Sequence, residues 1–271
     1  TVITLMAGTL FLMWIGELIS EKKVGNGISL IIFAGILAGL PTSITQFLST
    51  YDETQLLPLV LYAAVAIAII VGIVFVNEGQ RNIPIQHARQ VRGQAVTAGG
   101  AASSLPLRVN MVGVMPIIFA VSFLTFPSMI AQFFTQAASQ NLREAATWII
   151  TTLQNQWIYG ILYLVLVVGF TYFYTAIVFH PDRVSENLQK QGAFIPGIRP
   201  GRPTAEYLEG VTKRITFAGA LFLGFLAVLP LLAQAATGTT TLALGGTSLL
   251  IVVSVVIESV KQIESQITMR D

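Results

Sequence analysis

The fold is decided by a long segment without a charged residue, ITFAGALFLGFLAVLPLLAQAATGTTTLALGGTSLLIVVSVVI (Ile215–Ile257). It is about twice as long as the roughly 20 apolar residues that one bilayer crossing needs. The polar break Thr237-Gly238-Thr239-Thr240-Thr241 lies near its middle. We therefore read the segment as two membrane spans joined by a short loop.

The rest of the chain repeats this pattern of apolar spans and polar loops. Apolar residues make up 54% of the chain and charged residues 10%, whereas a soluble domain carries about 25% charge. An unpaired backbone cannot lie in lipid, so we predict an all-α polytopic membrane protein with seven transmembrane helices. The predicted spans are approximately Thr1–Ile19, Gly27–Phe47, Leu56–Val76, Val112–Phe134, Trp157–Phe179, Ile215–Leu232 and Thr247–Val260.

The basic residues orient these spans. Of the 15 Lys and Arg residues, all except Arg143 fall in alternate loops or in the C-terminal tail. Loops rich in Lys and Arg stay in the cytoplasm during insertion. We therefore place the two long loops, 77–110 and 180–214, and the C-terminus in the cytoplasm. The chain opens at Thr1 inside a span, near the outer face, so we expect an odd number of earlier spans.

The residues form no catalytic constellation. His87 and His180 are far apart in sequence, the chain has no cysteine, and no predicted span carries a charge in its middle. An intramembrane hydrolase needs buried ionisable or nucleophilic groups. We therefore predict a protein that is not an enzyme, with no catalytic residue, no metal ligand and no cofactor.

Three classes of membrane protein remain open from the residues alone. Glycine and proline interrupt the spans at Gly25-Asn26-Gly27, Pro116 and Pro127, which suits either tight helix packing or a helix that bends. A secondary transporter for a small solute uses broken helices to bind its substrate. An uncharged pore sealed by a hydrophobic constriction would instead pass a polypeptide. A bare structural scaffold is the third interpretation.

Both long loops, and one external loop, carry signs of order. The segment Gly192–Gly201 mixes apolar anchors with Pro and Gly, which predicts a tight tip that presents Arg199. We expect Leu105-Pro106-Leu107, at the end of the other long loop, to dock onto the protein. The amphipathic stretch Leu142–Ile150 predicts an external interfacial helix with Trp148 among the headgroups.

Four motifs give the chain a family resemblance. In order, and each at a span boundary, they are Gly25–Ser29 with Ile32–Gly35, Leu105–Met111 with Gly113–Pro116, Gly192–Gly201 and Gly245–Ile251. They resemble the SecY family, the channel subunit of the bacterial protein-translocation machine. The resemblance covers essentially the whole chain and matches the family's helices four to ten, so three helices would precede it.

The resemblance implies an architecture of ten helices in two inverted-repeat halves around a pore. Residues 1–47 would then end the N-terminal half with two transmembrane helices. Residues 48–55 would form an external hinge loop, and residues 56–271 would form the C-terminal half with five transmembrane helices and both long cytoplasmic loops. The protein would be a multi-pass protein of the bacterial inner membrane.

The resemblance also implies the residues that carry the function. The family's apolar pore ring falls on Ile28, Ile32, Ile118 and Ile251. The gate helix, beside which signal sequences and membrane segments leave for the lipid, carries Pro116 and Pro127.

The partners implied by the resemblance dock on the cytoplasmic loops. These are the SecA motor ATPase or the ribosome, and they would contact Arg199 with Pro200 and Gly201, and Arg89 and Arg92 on the earlier loop. A fork-shaped guanidinium held by Pro and Gly suits carboxylate or phosphate. The family implies SecE and SecG as further subunits, and signal sequences, nascent polypeptides and membrane lipids as other contacts.

Overall fold

The chain is mostly helical. The computed structural model describes residues 1–22, 25–49, 56–87, 103–137, 139–237 and 243–268. The helices are α1 (Val2–Glu21), α2 (Gly27–Ser49), α3 (Leu56–Glu78), α4 (Met115–Phe134), α5 (Gln140–Gln154), α6 (Gln156–Val178), α7 (Pro181–Lys190), α8 (Arg202–Thr237) and α9 (Ala243–Thr268). The strands are β1 (Gln80–His87), β2 (Ser103–Arg108) and β3 (Ala193–Phe194).

A helix lies at each predicted span, but α8 and α9 are longer than their apolar parts. Helix α8 begins at Arg202 rather than at Ile215. Hydropathy detects only apolar turns, whereas the first turns of α8 are charged and carry the helical pairs Arg202–Glu206 and Glu209–Lys213, at 3.2 and 2.7 Å. Charge pairs spaced by four residues support a helix in water.

The membrane-spanning capacity is clearest for four helices. Within the described ranges, α1, α4, α6 and α8 contain stretches that are long and apolar enough to cross a membrane. Gly27–Gly39 and Ala63–Glu78 are shorter apolar helical stretches. The count of seven crossings therefore stays a prediction, as does the hinge loop 48–55, of which residues 50–55 lie outside the described part.

A small sheet corrects the prediction of an all-α chain. Its strand order is β2-β1-β3, and both pairings are antiparallel. In the first, Ile83 lies opposite Leu105, and in the second Gln86 lies opposite Phe194. Ile83 with Ile85, and Leu105 with Leu107, show the period of two that one buried strand face produces. The rule that backbone in lipid must be helical applies only to the lipid-facing segments, so it does not predict strands in the loops.

The main core lies among five helices, α3, α4, α6, α8 and α9. Its centre contains side chains that are at most 1% exposed: Ile73, Ile117, Val167, Leu223 and Val255. Close van der Waals packing of this kind, rather than a hydrophobic force, holds helices together in lipid.

A second core lies beyond the ends of the helices. It is formed by Ile83, Leu107, Ile195, Leu208, Val211 and Ile215. We call residues 80–87, 103–111 and 179–215, which surround it, the loop unit. Leu107 is 4% exposed, so the prediction that Leu105-Pro106-Leu107 docks onto the protein is confirmed. The described parts of the two long loops thus form one packed body.

Helices α1 and α2 cross at a contact between two backbones. A Cβ atom placed on Gly27 would overlap the carbonyl of Gly16. The Ser20 hydroxyl donates to the Gly16 carbonyl oxygen at 3.0 Å and accepts from the Gly27 N–H at 2.9 Å. Gly16 is the buried residue of α1, so this crossing is what joins α1 to the described chain.

The amphipathic stretch Leu142–Ile150 lies within a helix, α5, as predicted, whereas its external location stays a prediction. Helix α5 is followed at once by α6, whose first turn is capped because Asn155 Oδ1 accepts from the Trp157 N–H at 3.1 Å. Trp148 is 68% exposed. Its location among lipid headgroups stays a prediction.

Candidate pore and docking surface

The structure brings two of the four predicted pore residues to one core. Ile118 on α4 and Ile251 on α9 are both partly buried, and both pack against the buried cluster that contains Ile117 and Val255. A residue of a pore ring must be held by packing on one side and face a cavity on the other. Partial burial is the environment that such a residue needs.

The other two pore residues lie on α2, on a less buried face. Ile28 is 49% exposed and Ile32 is half-buried. Helix α2 contacts the main core through Leu30 and Phe33 instead. The pore role of all four isoleucines stays a prediction.

The two prolines predicted for a gate helix have different surroundings in α4. Pro116 is buried and lies in the first turn, where a missing N–H breaks no helical hydrogen bond. Pro127 is exposed in the helix interior, where its ring removes a hydrogen bond and favours a kink. Any bending of α4 is therefore expected at Pro127, and the gate role itself stays a prediction.

The tip that presents Arg199 is tightly fixed. Gly197 and Gly201 have φ angles of +83° and +98°, a region that favours glycine. The Gly201 carbonyl accepts from the Ser185 hydroxyl of α7 at 2.7 Å, and the Arg199 carbonyl accepts from the Thr204 hydroxyl at 2.9 Å. The backbone on both sides of Pro200 is thereby tied to α7 and α8.

The side chain of Arg199 is exposed and its charge is not neutralised. Three neighbouring basic residues each form an ion pair within their own helix: Lys190 with Glu186, Arg202 with Glu206, and Lys213 with Glu209. Among the described residues Arg199 has no such partner. A rigid backbone with a free guanidinium is an arrangement suited to an anionic partner.

The remaining docking residues, Arg89 and Arg92, lie outside the described residues. The pairing of β1 with β3 nevertheless brings the two loops together, since His87 lies opposite Ala193. His87, the last residue of β1, therefore lies against the loop that also carries Arg199. Sequence reasoning treated the loops separately, because strand pairing between distant segments leaves no local signal.

Sequence reasoning also missed a polar contact between helix ends. Asn77 at the end of α3, Asn110 before α4 and Lys261 on α9 are joined by hydrogen bonds. A polar residue at the end of a membrane span is usually solvated. Nothing in the sequence around Asn77, Asn110 or Lys261 therefore indicates a contact with another span. Within the described residues there is no group of three or more His, Asp or Glu side chains that could hold a metal ion.

Comparison with known sequences gives a consistent result. A family model described as SecY matches residues 1–260. The protein translocase subunit SecY of Halalkalibacterium halodurans is 43% identical, over 99% of this chain and 63% of that protein. The same subunit of Synechocystis is 45% identical, over 98% of this chain and 62% of that protein. The chain therefore spans a little under two thirds of the relatives that it matches.

Two solved structures share the fold. One is of a SecY protein whose plug domain stabilises the closed state of the translocation channel, with a TM-score of 0.63 and 18% identity over 94% of this chain and 63% of that one. The other, of a protein-conducting channel, has a TM-score of 0.62 and 19% identity over 94% of this chain and 62% of that one. This mostly helical, multi-pass membrane protein has the SecY channel fold, and the chain belongs to the SecY family.

Proposed function

We propose that the chain is the larger part of the central subunit of a protein-conducting channel in the bacterial inner membrane. Unfolded secretory polypeptides pass through its pore, and membrane segments leave sideways beside α4. The protein performs no chemistry of its own, because the energy comes from translation or from a partner motor. The observation that carries this proposal is the SecY match over residues 1–260.

In this proposal the seven spans are helices four to ten of a ten-helix inverted repeat. Loop 48–55 is the external hinge between the halves, and the loop unit faces the cytoplasm. Arg199 lies on a fixed tip and has no ion-pair partner among the described residues, which supports docking of SecA or of the ribosome there. Arg89 and Arg92 are proposed as further docking residues. SecE and SecG complete the channel.

The pore is sealed by a ring of four isoleucines, Ile28, Ile32, Ile118 and Ile251. The packing of Ile118 and Ile251 against one core supports their place in the ring. A ring of apolar side chains excludes water and ions without any charged group. The exported polypeptide opens the ring by displacing these side chains as it passes through the pore.

Photo-crosslinking from Arg199 tests this function in the full-length protein in exporting membranes. A photoreactive residue at position 199 is expected to crosslink to the motor ATPase or to ribosomal proteins. A secondary transporter for a small solute makes a different prediction, because it needs no such partner. Absence of any partner during active export, together with saturable solute uptake coupled to an ion, would replace the channel proposal with the transporter.

A polar substitution in the ring is expected to weaken the seal. Ile118→Asn or Ile251→Asn places an amide where an apolar surface excludes water, so the ring wets more easily. We expect the ion leak to be about tenfold larger than that of the parent protein, which corresponds to about 1.4 kcal/mol. Export of precursors with defective signal sequences should rise by a similar factor. Conductance of reconstituted channels measures the leak. A leak equal to that of the parent in both variants contradicts the ring assignment.

A further inference from the structure

Three elements of the fold meet at Asn77, near the end of α3. Its side-chain oxygen accepts from Asn110 Nδ2 at 2.7 Å, and its backbone carbonyl accepts from Lys261 Nζ of α9 at 3.3 Å. Lys261 also forms an ion pair with Glu78 at 2.8 Å. We call Asn77, Asn110 and Lys261 the polar junction. A cation at a helix C-terminus is favourable, because the last carbonyls carry partial negative charge.

The orientation of the Asn110 amide is fixed by its neighbours. The Gly113 N–H can only donate, and it donates to Asn110 Oδ1 at 3.0 Å. Asn110 Nδ2 then donates to the Gly113 carbonyl at 3.3 Å and, over a shorter distance of 2.7 Å, to Asn77 Oδ1. Since Asn110 is 9% exposed, water cannot readily replace this partner, and the loss of a buried partner costs more than the loss of an exposed one.

The turn held by Asn110 is the only chain connection between β2 and α4. Gly113 within it has a φ angle of +66°, and a Cβ atom there would lie 3.2 Å from Glu258 Oε2 of α9. The Val109 N–H donates to the Gly79 carbonyl at 2.8 Å. On the other side, a Cβ atom on Gly219 of α8 would lie 2.8 Å from the Val109 carbonyl oxygen. The turn is therefore clamped between α3, α8 and α9.

The junction is linked to two residues of the proposed ring through α4 and α9. Ile118 is in the first turns of α4, directly after the clamped turn. Ile251 precedes Lys261 on the same helix by about 15 Å, at a rise of 1.5 Å per residue. A contact that fixes the start of α4 to α9 therefore also fixes the distance between Ile118 and Ile251.

We propose that Asn110 is a positioning residue for the pore seal: through Asn77 and Lys261 it holds α4 at a fixed distance from α9, and so sets how readily a weak signal sequence opens the ring. This inference rests on the proposed channel function. It assigns a role in signal-sequence selectivity to a residue that belongs neither to the proposed ring nor to the proposed docking residues.

The test uses Asn110→Leu in the full-length protein, with export of a precursor that carries a defective signal sequence as the readout. We expect export of that precursor to rise at least about fivefold. The loss of one buried hydrogen bond changes an equilibrium constant by about that factor, and Leu removes the bond to Asn77 and the acceptor of the Gly113 N–H together. Crosslinking from position 199 to the docked partner should not change. If Asn110→Leu fails to accumulate, Asn110→Asp replaces it, because this variant keeps an acceptor for the Gly113 N–H but cannot donate to Asn77 when ionised.

Two further variants separate positioning from general stability. Asn77→Asp keeps an oxygen acceptor for Asn110 Nδ2 and should retain the selectivity of the parent, whereas Asn77→Leu should relax it. Thr171→Val is the matched control, since Thr171 is 4% exposed and its hydroxyl donates to the Val167 carbonyl at 2.7 Å, within α6. A merely structural role for Asn110 predicts lower protein levels in Asn110→Leu and Thr171→Val alike, and unchanged selectivity in both.

The outcomes distinguish a failure of the positioning role from a failure of the proposed channel function. Unchanged selectivity in Asn110→Leu, with relaxed selectivity in Ile118→Asn, overturns the positioning role and leaves the channel in place. If neither variant changes export of any precursor, both the positioning role and the ring assignment fail, and crosslinking from position 199 then decides whether the channel function remains. If the double variant Asn77→Leu/Asn110→Leu raises export of the defective precursor no more than either single variant does, the two residues act together as one unit.

Discussion

Gly27→Ala is expected to destabilise the protein by about 3 kcal/mol, near the upper end of the usual effect of overpacking. The new methyl group would occupy the position of the Gly16 carbonyl, and a backbone atom cannot rotate away as a flexible side chain can. The helices must separate, and the hydrogen bond that joins them, from the Gly27 N–H to the Ser20 hydroxyl, is then strained or lost. Thermal unfolding of the purified full-length protein in detergent measures the effect.

The same helix offers a matched control for this substitution. Gly35 also lies in α2, and a Cβ atom there would meet no atom within 4 Å. Gly35→Ala should therefore leave Tm unchanged or raise it slightly, because alanine favours a helix more than glycine does. Equal Tm values for Gly27→Ala and the parent would show that α1 and α2 do not cross at Gly16 as the structure has them.

Arg199→Glu is expected to reduce export at least about tenfold without unfolding the protein. The side chain is exposed and has no ion-pair partner among the described residues, so the fold does not depend on it. For a docked partner, however, the loss of one member of a close charge pair costs about 2 kcal/mol or more, and a like charge adds repulsion. Export of a normal precursor by membranes that contain the variant gives the rate.

Lys190→Glu provides the corresponding control in the same loop unit. It makes the same change of charge, but Lys190 is exposed and paired with Glu186 at 3.9 Å, and such surface pairs contribute little. We expect near-normal export from this variant. If Lys190→Glu and Arg199→Glu impair export equally, the effect comes from the net charge of the loop unit and not from the fixed tip.

The positions of the helices could be predicted from the sequence because lipid imposes one strong rule. Every backbone group in the hydrocarbon must be paired within its own segment, so an apolar run such as that after Ile215 has to be helical. Outside the lipid this rule no longer applies. The helical start of α8 at Arg202 was missed there, because its charged turns have no hydropathy signal.

The pairing of the strands and the polar junction could not be predicted because both depend on contacts between distant segments. The alternation in Ile83-Pro84-Ile85 and Leu105-Pro106-Leu107 was available in the sequence, but nothing local identifies β3 as the second partner of β1. Likewise Asn77 and Lys261 are far apart in sequence, and only the folded arrangement of α3 and α9 brings them together. The tip at Arg199 was predictable because its Pro and Gly residues act locally.

The most direct test of the channel is to ask what a translocating polypeptide touches. A photoreactive amino acid is placed at Ile118 or Ile251 of the full-length protein, and a precursor is arrested during export. Phe225 serves as the control, since it is 53% exposed on α8 and is not assigned to the pore. We predict crosslinks to the arrested chain from positions 118 and 251 and none from position 225. Arrested precursor without a crosslink from either pore position would contradict the account.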